Sequence, residues 1–492
     1  MHVCNNITMS VATYLGNKGY TIYKECLEMA DQKFIREKLT VKPYIPKSPV
    51  QPPSFCVYAE GHSKFYLPKY FGIDNFGEPE ASRISEGDDI NINFKGKLRD
   101  YQEPIVKAYM DATKNTWGGG GLLDIPCGYG KTAMGLYIAA KLKKKTLVIV
   151  HKSFLLNQWI ERINEFVPNA RVGKIQGQII DIEGKDIVIG MLQSLSMKNY
   201  PASMFDSFGL TIVDECHHIS SEVFSRSLLK VVTKYTLGLS ATMNRKDGLT
   251  DVFKMFLGEV VYKINRETED NVLIKRIDYK SNDEEFEDTI FDYRGNPQYS
   301  SMITKLCDYN HRSEFILKVI EKELKEKPDQ QIMVLGQNKS ILTYIHDAIE
   351  YRNMATVGYY VGGMKEADLK ISERKKIVVA TYAMAAEGLD IKSLTTLILV
   401  TPRTDVVQAV GRILRVKHER PLVVDIVDTH DVFQRQWKKR YTFYKKNKYK
   451  VIQTDNFKYM KDEWEDVQYS SRKKKKTAKD VSISKCMIQL KI

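Results

Sequence analysis

The chain has 492 residues, 43% hydrophobic and 28% charged, a length that exceeds one ordinary domain and suits two or three cores. No apolar run approaches the ~20 residues of a membrane-spanning helix, and the first ten residues lack the charged, apolar and small-residue sections of a secretory signal; an intracellular setting is expected. Of the net charge of +14, the segment 436–492 supplies +11 (17 Lys+Arg against 6 Asp+Glu), so the basic excess belongs to the tail and argues for no basic groove in the core.

Residues 1–90 contain a proline-rich stretch (Pro43, Pro46, Pro49, Pro52, Pro53) and then aromatic, strand-like pieces at 55–58 and 64–67, which read as a small N-terminal accessory domain. From 91 to 264, short β-branched runs at 122–125, 146–150, 187–189, 211–213 and 236–239 alternate with longer helical patterns. Such alternation marks a parallel sheet covered by helices, and five buried strands suit one doubly wound lobe. The polar segment 265–310, with its acidic cluster at 283–287, reads as a linker with an insertion. Alternation resumes over 311–435, with runs at 332–335, 376–380, 396–400 and 422–424, and predicts a second α/β lobe. Residues 436–492 read as a basic, aromatic, partly disordered tail. Within it, 437–450 supports two readings: a stacking and phosphate-binding surface, or an amphipathic helix that packs Trp437, Tyr441 and Tyr444 onto the second lobe.

Seven cysteines (Cys4, Cys26, Cys56, Cys127, Cys216, Cys307, Cys486) show no C-x-x-C spacing, so neither zinc nor a disulfide framework is indicated. Pro126, Cys127, Gly128, Tyr129, Gly130, Lys131 and Thr132 follow a strand run and precede a helical pattern, the setting of a phosphate-binding loop. There the glycines let backbone N–H groups converge on phosphate oxygens, Lys131 neutralises the β and γ phosphates, and the Thr132 hydroxyl ligates magnesium. The strict pattern fails at one position, since Ile125 stands where its first glycine belongs. Asp214, Glu215, Cys216 and His217 come directly after the run 210–213. An acidic pair at a strand's C-terminal end can hold Mg2+ through its water shell (Asp214) and activate the attacking water (Glu215), although Asp214 could equally cap the following helix. His217 and His218 are adjacent and point apart, with no third ligand at usable spacing for zinc.

Taken in order, these residues resemble superfamily two DExH-type helicases, and within them the XPB-like and phage UvsW-like branch also found in large DNA viruses. The resemblance covers about 98–428. It rests on the segment 98–102 ending in Gln102, on 126–132, on 214–217, and on Ser240, Ala241 and Thr242 with the R-x-D-G-L extension at 245–249. In the second lobe it rests on Thr381 with 387–390 and on 408–415. It implies two tandem RecA-like lobes and an ATPase fed by ATP and Mg2+. It also implies an adenine contact from Gln102, coupling of hydrolysis to movement through Ser240 to Thr242, and ATP contacts from Gly388, Asp390 and Gln408. Arg412 and Arg415 would be the arginine fingers. At i and i+3 on a helix these two share a face and can serve one anion. The resemblance further suggests nucleic-acid contacts from Lys152, Ser153, Gln193, Ser194, Gly336, Gln337 and Thr381. The expected function is a nucleic-acid-dependent ATPase, a DNA rather than RNA helicase or translocase working with transcription or repair proteins, with an RNA-directed helicase or a hydrolysis-incompetent scaffold as alternatives. Ala409 stands where XPB proteins carry Arg, and no thumb or RED-type element is found, so no strand-separating device is inherited from the resemblance.

Overall fold

The computed structural model describes residues 12–44, 51–126, 128–215, 221–240, 250–264, 271–387, 391–414 and 418–467. Lobe 1 is an eight-stranded sheet running, edge to edge, Ile179–Asp181, Val172–Gln176, Ile187–Met191, Thr146–Val150, Leu210–Asp214, Tyr235–Ser240, Gly119–Asp124 and Val260–Lys263. Every pairing is parallel except that of the first two strands. The central strands are buried on both faces because helices cover both, which is why they read as continuous apolar runs. Val172–Gln176 instead alternates half-buried and buried residues, a weaker signal that hid it from the sequence pattern.

Lobe 2 repeats the plan, in the order Val357–Tyr360, Ile377–Thr381, Gln331–Gly336, Leu394–Leu399, Leu422–Asp428, Leu273–Tyr279, Lys450–Asp455 and Glu465–Asp466. Its limits differ from the expected ones at both ends. Leu273–Tyr279, expected within a linker, lies inside the sheet between Leu422–Asp428 and Lys450–Asp455. The expected tail contributes Lys450–Asp455 to the same sheet, and the helix Asp431–Lys446 buries Trp437 and Tyr444 against the lobe. The amphipathic-helix reading of that segment is therefore the one realised, with Lys438, Lys439, Lys445 and Lys446 left facing solvent.

Two buried ion pairs fix lobe 2 internally. Arg312, on the helix Asn310–Glu326, grips Asp428 at 2.6 and 2.9 Å and donates to the Val400 carbonyl at 2.9 Å. Arg440 grips Asp425 at 2.8 and 2.9 Å, and the Tyr444 hydroxyl donates to the same carboxylate at 3.2 Å.

The N-terminal domain is a five-stranded sheet ordered Ala59–Glu60, Lys64–Leu67, Gly19–Tyr23, Thr13–Gly16 and Ala81–Ser82, with the helices Met29–Lys38 and Lys69–Phe76 on one face. That face is continuous with the core of lobe 1. The Tyr70 hydroxyl meets Thr236 Oγ1 at 2.7 Å, and Lys69 donates to the Lys234 carbonyl at 2.7 Å beneath the Trp117 ring. Among the described residues no helix is long and apolar enough to cross a membrane.

Lys69 is buried with no carboxylate partner among the described residues, and desolvation lowers its amine to about 7. Between that value and its ordinary one, the unfolded chain holds a proton that the native chain has shed, so this group's contribution to stability rises with pH across that window. Lys69→Met should therefore stabilise the protein most near pH 7. Its advantage should shrink by roughly 3 kcal/mol between about pH 7 and about pH 9.5. Urea unfolding of both forms at the two pH values measures this, and a pH-independent difference would contradict it.

Candidate active site at the C-terminal edge of lobe 1

The strands of lobe 1 end together, and the candidate residues sit on those ends. Gly119–Asp124 leads into the phosphate loop, where Gly128 and Gly130 take φ of 87° and 79°, a left-handed region that favours glycine. A Cβ at Gly130 would lie 2.5 Å from the Gln102 side-chain nitrogen. That nitrogen donates to the Tyr129 carbonyl at 2.8 Å, while the Gln102 side-chain oxygen accepts from the Arg99 N–H at 3.0 Å. Gln102 thus braces the loop before any adenine is in reach, and the Tyr101 and Tyr129 rings meet edge to face at 5.4 Å beside it. Ile125, the departure from the strict pattern, is fully buried, and its N–H donates to the Ser240 carbonyl at 2.9 Å. The chain there continues the sheet and contributes to the core, a place an apolar side chain suits.

Lys131 opens the helix Lys131–Leu142 and is itself buried. Its ammonium pairs with Glu215 Oε1 at 2.9 Å, joining the phosphate loop to the acidic strand end. Glu215 has φ of 48°, uncommon for a non-glycine residue, and its N–H donates to Asp214 Oδ1 at 3.0 Å. The backbone turn therefore separates the two adjacent carboxylates, aiming one at Lys131 and keeping the other in the sheet edge. Asp214 accepts from the Trp159 indole at 2.8 Å. Burial first, then the neighbouring Glu215 charge, pushes the Asp214 carboxyl up to about 6. A buried carboxylate so disfavoured as an anion fits a divalent cation, which would supply the missing positive charge; the Thr132 hydroxyl, one residue into the helix, is the other donor in this set.

Sequence reasoning did not single out Trp159. Its place among Leu155, Leu156 and Ile163 on one helix face reads as core packing, and nothing in that spacing shows where the indole N–H goes. The remaining candidates in lobe 1 also sit at strand ends. Ser240 closes Tyr235–Ser240 and is buried, and Lys152 and Ser153 follow Thr146–Val150. Gln193 and Ser194 follow Ile187–Met191; the Gln193 side chain donates to the His151 carbonyl at 3.0 Å and Ser194 Oγ accepts from the Gly177 N–H at 2.9 Å.

In lobe 2, Gly336 and Thr381 close their strands, and the Gln337 N–H donates to Thr401 Oγ1 at 2.8 Å. The Tyr382 hydroxyl donates to the Thr401 carbonyl at 2.7 Å, so one threonine ties these ends together. Arg412 is buried, and its Nε donates to the Ala385 carbonyl at 2.9 Å, bracing the helix Val407–Arg412 against Tyr382–Glu387; Gln408 is half-buried on the former. Cys127, Cys216, His217, His218, Ala241, Thr242, Gly388, Asp390 and Arg415 lie outside the described residues.

A glycine-rich loop after a strand, an acidic strand end and a second α/β lobe are the arrangement of a two-lobed protein of the helicase type. A family model described as "Type III restriction enzyme, res subunit" matches residues 95–245. The chain is 35% identical to the "Putative ATP-dependent RNA helicase L396" of Acanthamoeba polyphaga mimivirus, over 95% of this chain and 91% of that one. It is 27% identical to the "Putative helicase 161L" of Invertebrate iridescent virus 6, over 73% of this chain and 83% of that one. Among solved structures it is similar to T4 UvsW, at 18% identity and a TM-score of 0.33 over 87% of this chain and 96% of that one. The chain belongs to the superfamily two helicases, in the group carried by large DNA viruses.

Trp159→Phe keeps the packing and removes the indole hydrogen bond to Asp214. A hydrogen bond to a charged group is worth about 1.5–3 kcal/mol. The variant should bind ATP several-fold more weakly at limiting magnesium and should recover as magnesium rises, read by calorimetric titration. An unchanged magnesium dependence would reduce the indole to packing.

Proposed function

We propose that the protein is an ATP-driven motor that moves along a nucleic-acid backbone, hydrolysing one ATP per cycle in a cleft to which both lobes contribute. The observation that carries this reading is the Lys131–Glu215 ion pair at the sheet edge beside the buried Asp214. Without nucleotide, the two charges satisfy each other. Nucleotide phosphates offer Lys131 a stronger anion, and its departure frees Glu215 to orient a water and take its proton. Thr132 and Asp214 would hold magnesium, which when bound neutralises charge on the β and γ phosphate oxygens. From the second lobe, Gly388, Asp390, Gln408, Arg412 and Arg415 would complete the site, so that efficient hydrolysis requires the lobes to close. His217 would belong to the catalytic set with Lys131, Asp214 and Glu215, and Ser240, Ala241 and Thr242 would transmit the state of the nucleotide to the polymer.

The polymer contacts in this reading are Lys152, Ser153, Gln193 and Ser194 on one lobe and Gly336, Gln337 and Thr381 on the other. Hydroxyls, amides and backbone of this kind suit phosphates, which DNA and RNA share. The DNA preference and the transcription or repair setting have no residue of their own behind them, and the mimivirus relative's name points to RNA.

ATP turnover measured without polymer and then with single-stranded DNA, duplex DNA or RNA tests the proposal. At least one polymer should stimulate turnover tenfold or more. Glu215→Gln should lower the stimulated rate by about 10²–10⁴-fold, the usual worth of a general base, while ATP binding survives. Absence of stimulation by every polymer overturns the motor reading.

A further inference from the structure

We propose that the outer face of the N-terminal sheet is a second nucleic-acid contact, which takes single-stranded polymer by stacking its bases on tyrosines and pairing its phosphates with unopposed cations. The proposal takes its polymer from the motor reading; its geometry stands independently.

One row of residues crosses all five strands in register: Ala81, Tyr14, Thr21, Tyr66 and Ala59. Register partners point to the same side, and residues two apart along a strand share that side. Tyr23 and Lys64, paired with each other two residues further along, therefore lie on the same face. The opposite face carries Leu15, Tyr20, Ile22, Phe65 and Leu67, all buried. Both helices of the domain lie on that inner side, since Phe34 stacks on Phe71, Arg36 lies over Phe65 and Gly72 abuts the Tyr20 ring. Among the described residues no helix covers the outer face.

Cations stand over its rings. Lys64 Nζ lies 4.4 Å from the Tyr23 centroid and 5.4 Å from that of Tyr14, the Arg83 guanidinium 4.1 Å from Tyr14, and Lys18 Nζ 4.9 Å from Tyr66. Among the described residues none of the three is paired with a carboxylate, whereas Lys24 and Arg36 on the inner side share Glu60. Glu80, at the Ala81 edge, accepts from the Ala12 N–H. The face thus combines π surfaces with uncompensated positive charge, complementary to a polyanion that carries aromatic bases. Tyr14 and Tyr66 stand two strands apart, on the order of 10 Å, a span that an extended single strand can bridge with separate bases. Duplex bases are stacked on one another and cannot reach the ring faces. Because the inner face merges with the lobe 1 core, polymer held here stays attached to lobe 1 while the cleft opens and closes.

The test uses the full chain and fluorescein-labelled 20-mers of oligo(dT) and oligo(U), read by anisotropy without ATP. Tyr14→Ala with Tyr66→Ala should weaken binding at least tenfold. Lys18→Glu with Arg83→Glu, at exposed positions chosen to spare folding, should flatten the salt dependence of log affinity by one to two units, since each phosphate contact contributes about 0.7 for single strands. In both variants the ATPase should need about tenfold more oligonucleotide for half-stimulation and keep its rate at saturation. Unchanged affinity and half-stimulation in the charge variant overturn the proposal, as does a fall in saturated rate with no change in half-stimulation. If the parent binds oligonucleotide but shows no stimulated turnover, the motor reading fails and the anisotropy arm still decides this one.

Discussion

An ammonium group taken out of water must find a counter-charge or lose its proton. The chain contains both outcomes. Lys69, buried with only a carbonyl to donate to, is lowered to about 7. Lys131 is nearly as enclosed and sits at the N-terminus of a helix, where the helix dipole also opposes a cation. It has Glu215 at 2.9 Å. Much else at the site serves that pair: a left-handed backbone at Glu215, two left-handed glycines in the loop, and a Gln102 brace that fixes where the loop lies. The same arrangement leaves Asp214 with a raised affinity for protons, and so a raised affinity for any cation that replaces them.

Lobe 2 uses buried charge differently. Arg312–Asp428 and Arg440–Asp425 are almost wholly shielded from solvent, so their Coulomb gain is largely offset by desolvation. Their value is positional. Asp425 and Asp428 lie on one strand, and the arginines that hold them come from two different helices, so these helices cannot slide without exposing an unpaired charge. Thr401 and the Arg412–Ala385 bond carry the same rigidity to the ends of the lobe 2 strands. Preorganised edges of this kind let a motor transmit lobe closure as a rigid displacement rather than dissipate it in local repacking.

The central strands were legible because burial on both faces leaves an unbroken apolar run, and the loop and acidic strand end because phosphate chemistry admits few substitutes for glycine, lysine and paired carboxylates. What stayed hidden follows from the same physics. Leu273–Tyr279 reads LIKRIDY, and its charged side chains look like a linker until Lys275 is seen paired with Glu323 and Glu326. Lys450–Asp455 joins the same sheet across about 170 residues of chain, a pairing no local window contains. Trp159 was invisible as a partner of Asp214 because a helix face records what is apolar and not where an N–H points. Arg412 was legible as an arginine on a helix face, but its bond to the Ala385 carbonyl depends on how two short helices meet.

The two joints of the molecule are unequal. Between the N-terminal domain and lobe 1 the contact is a continuous apolar core crossed by buried hydrogen bonds such as Tyr70 to Thr236. Between the helices Ser153–Phe166 and Glu366–Glu373, half-buried Asn157 donates to exposed Glu366, and exposed Glu161 and Lys370 form an ion pair. Exposed ion pairs contribute about 0–1 kcal/mol and weaken with salt, whereas each large buried side chain contributes on the order of 1.5–3 kcal/mol. The N-terminal domain and lobe 1 share one core and should move as one body.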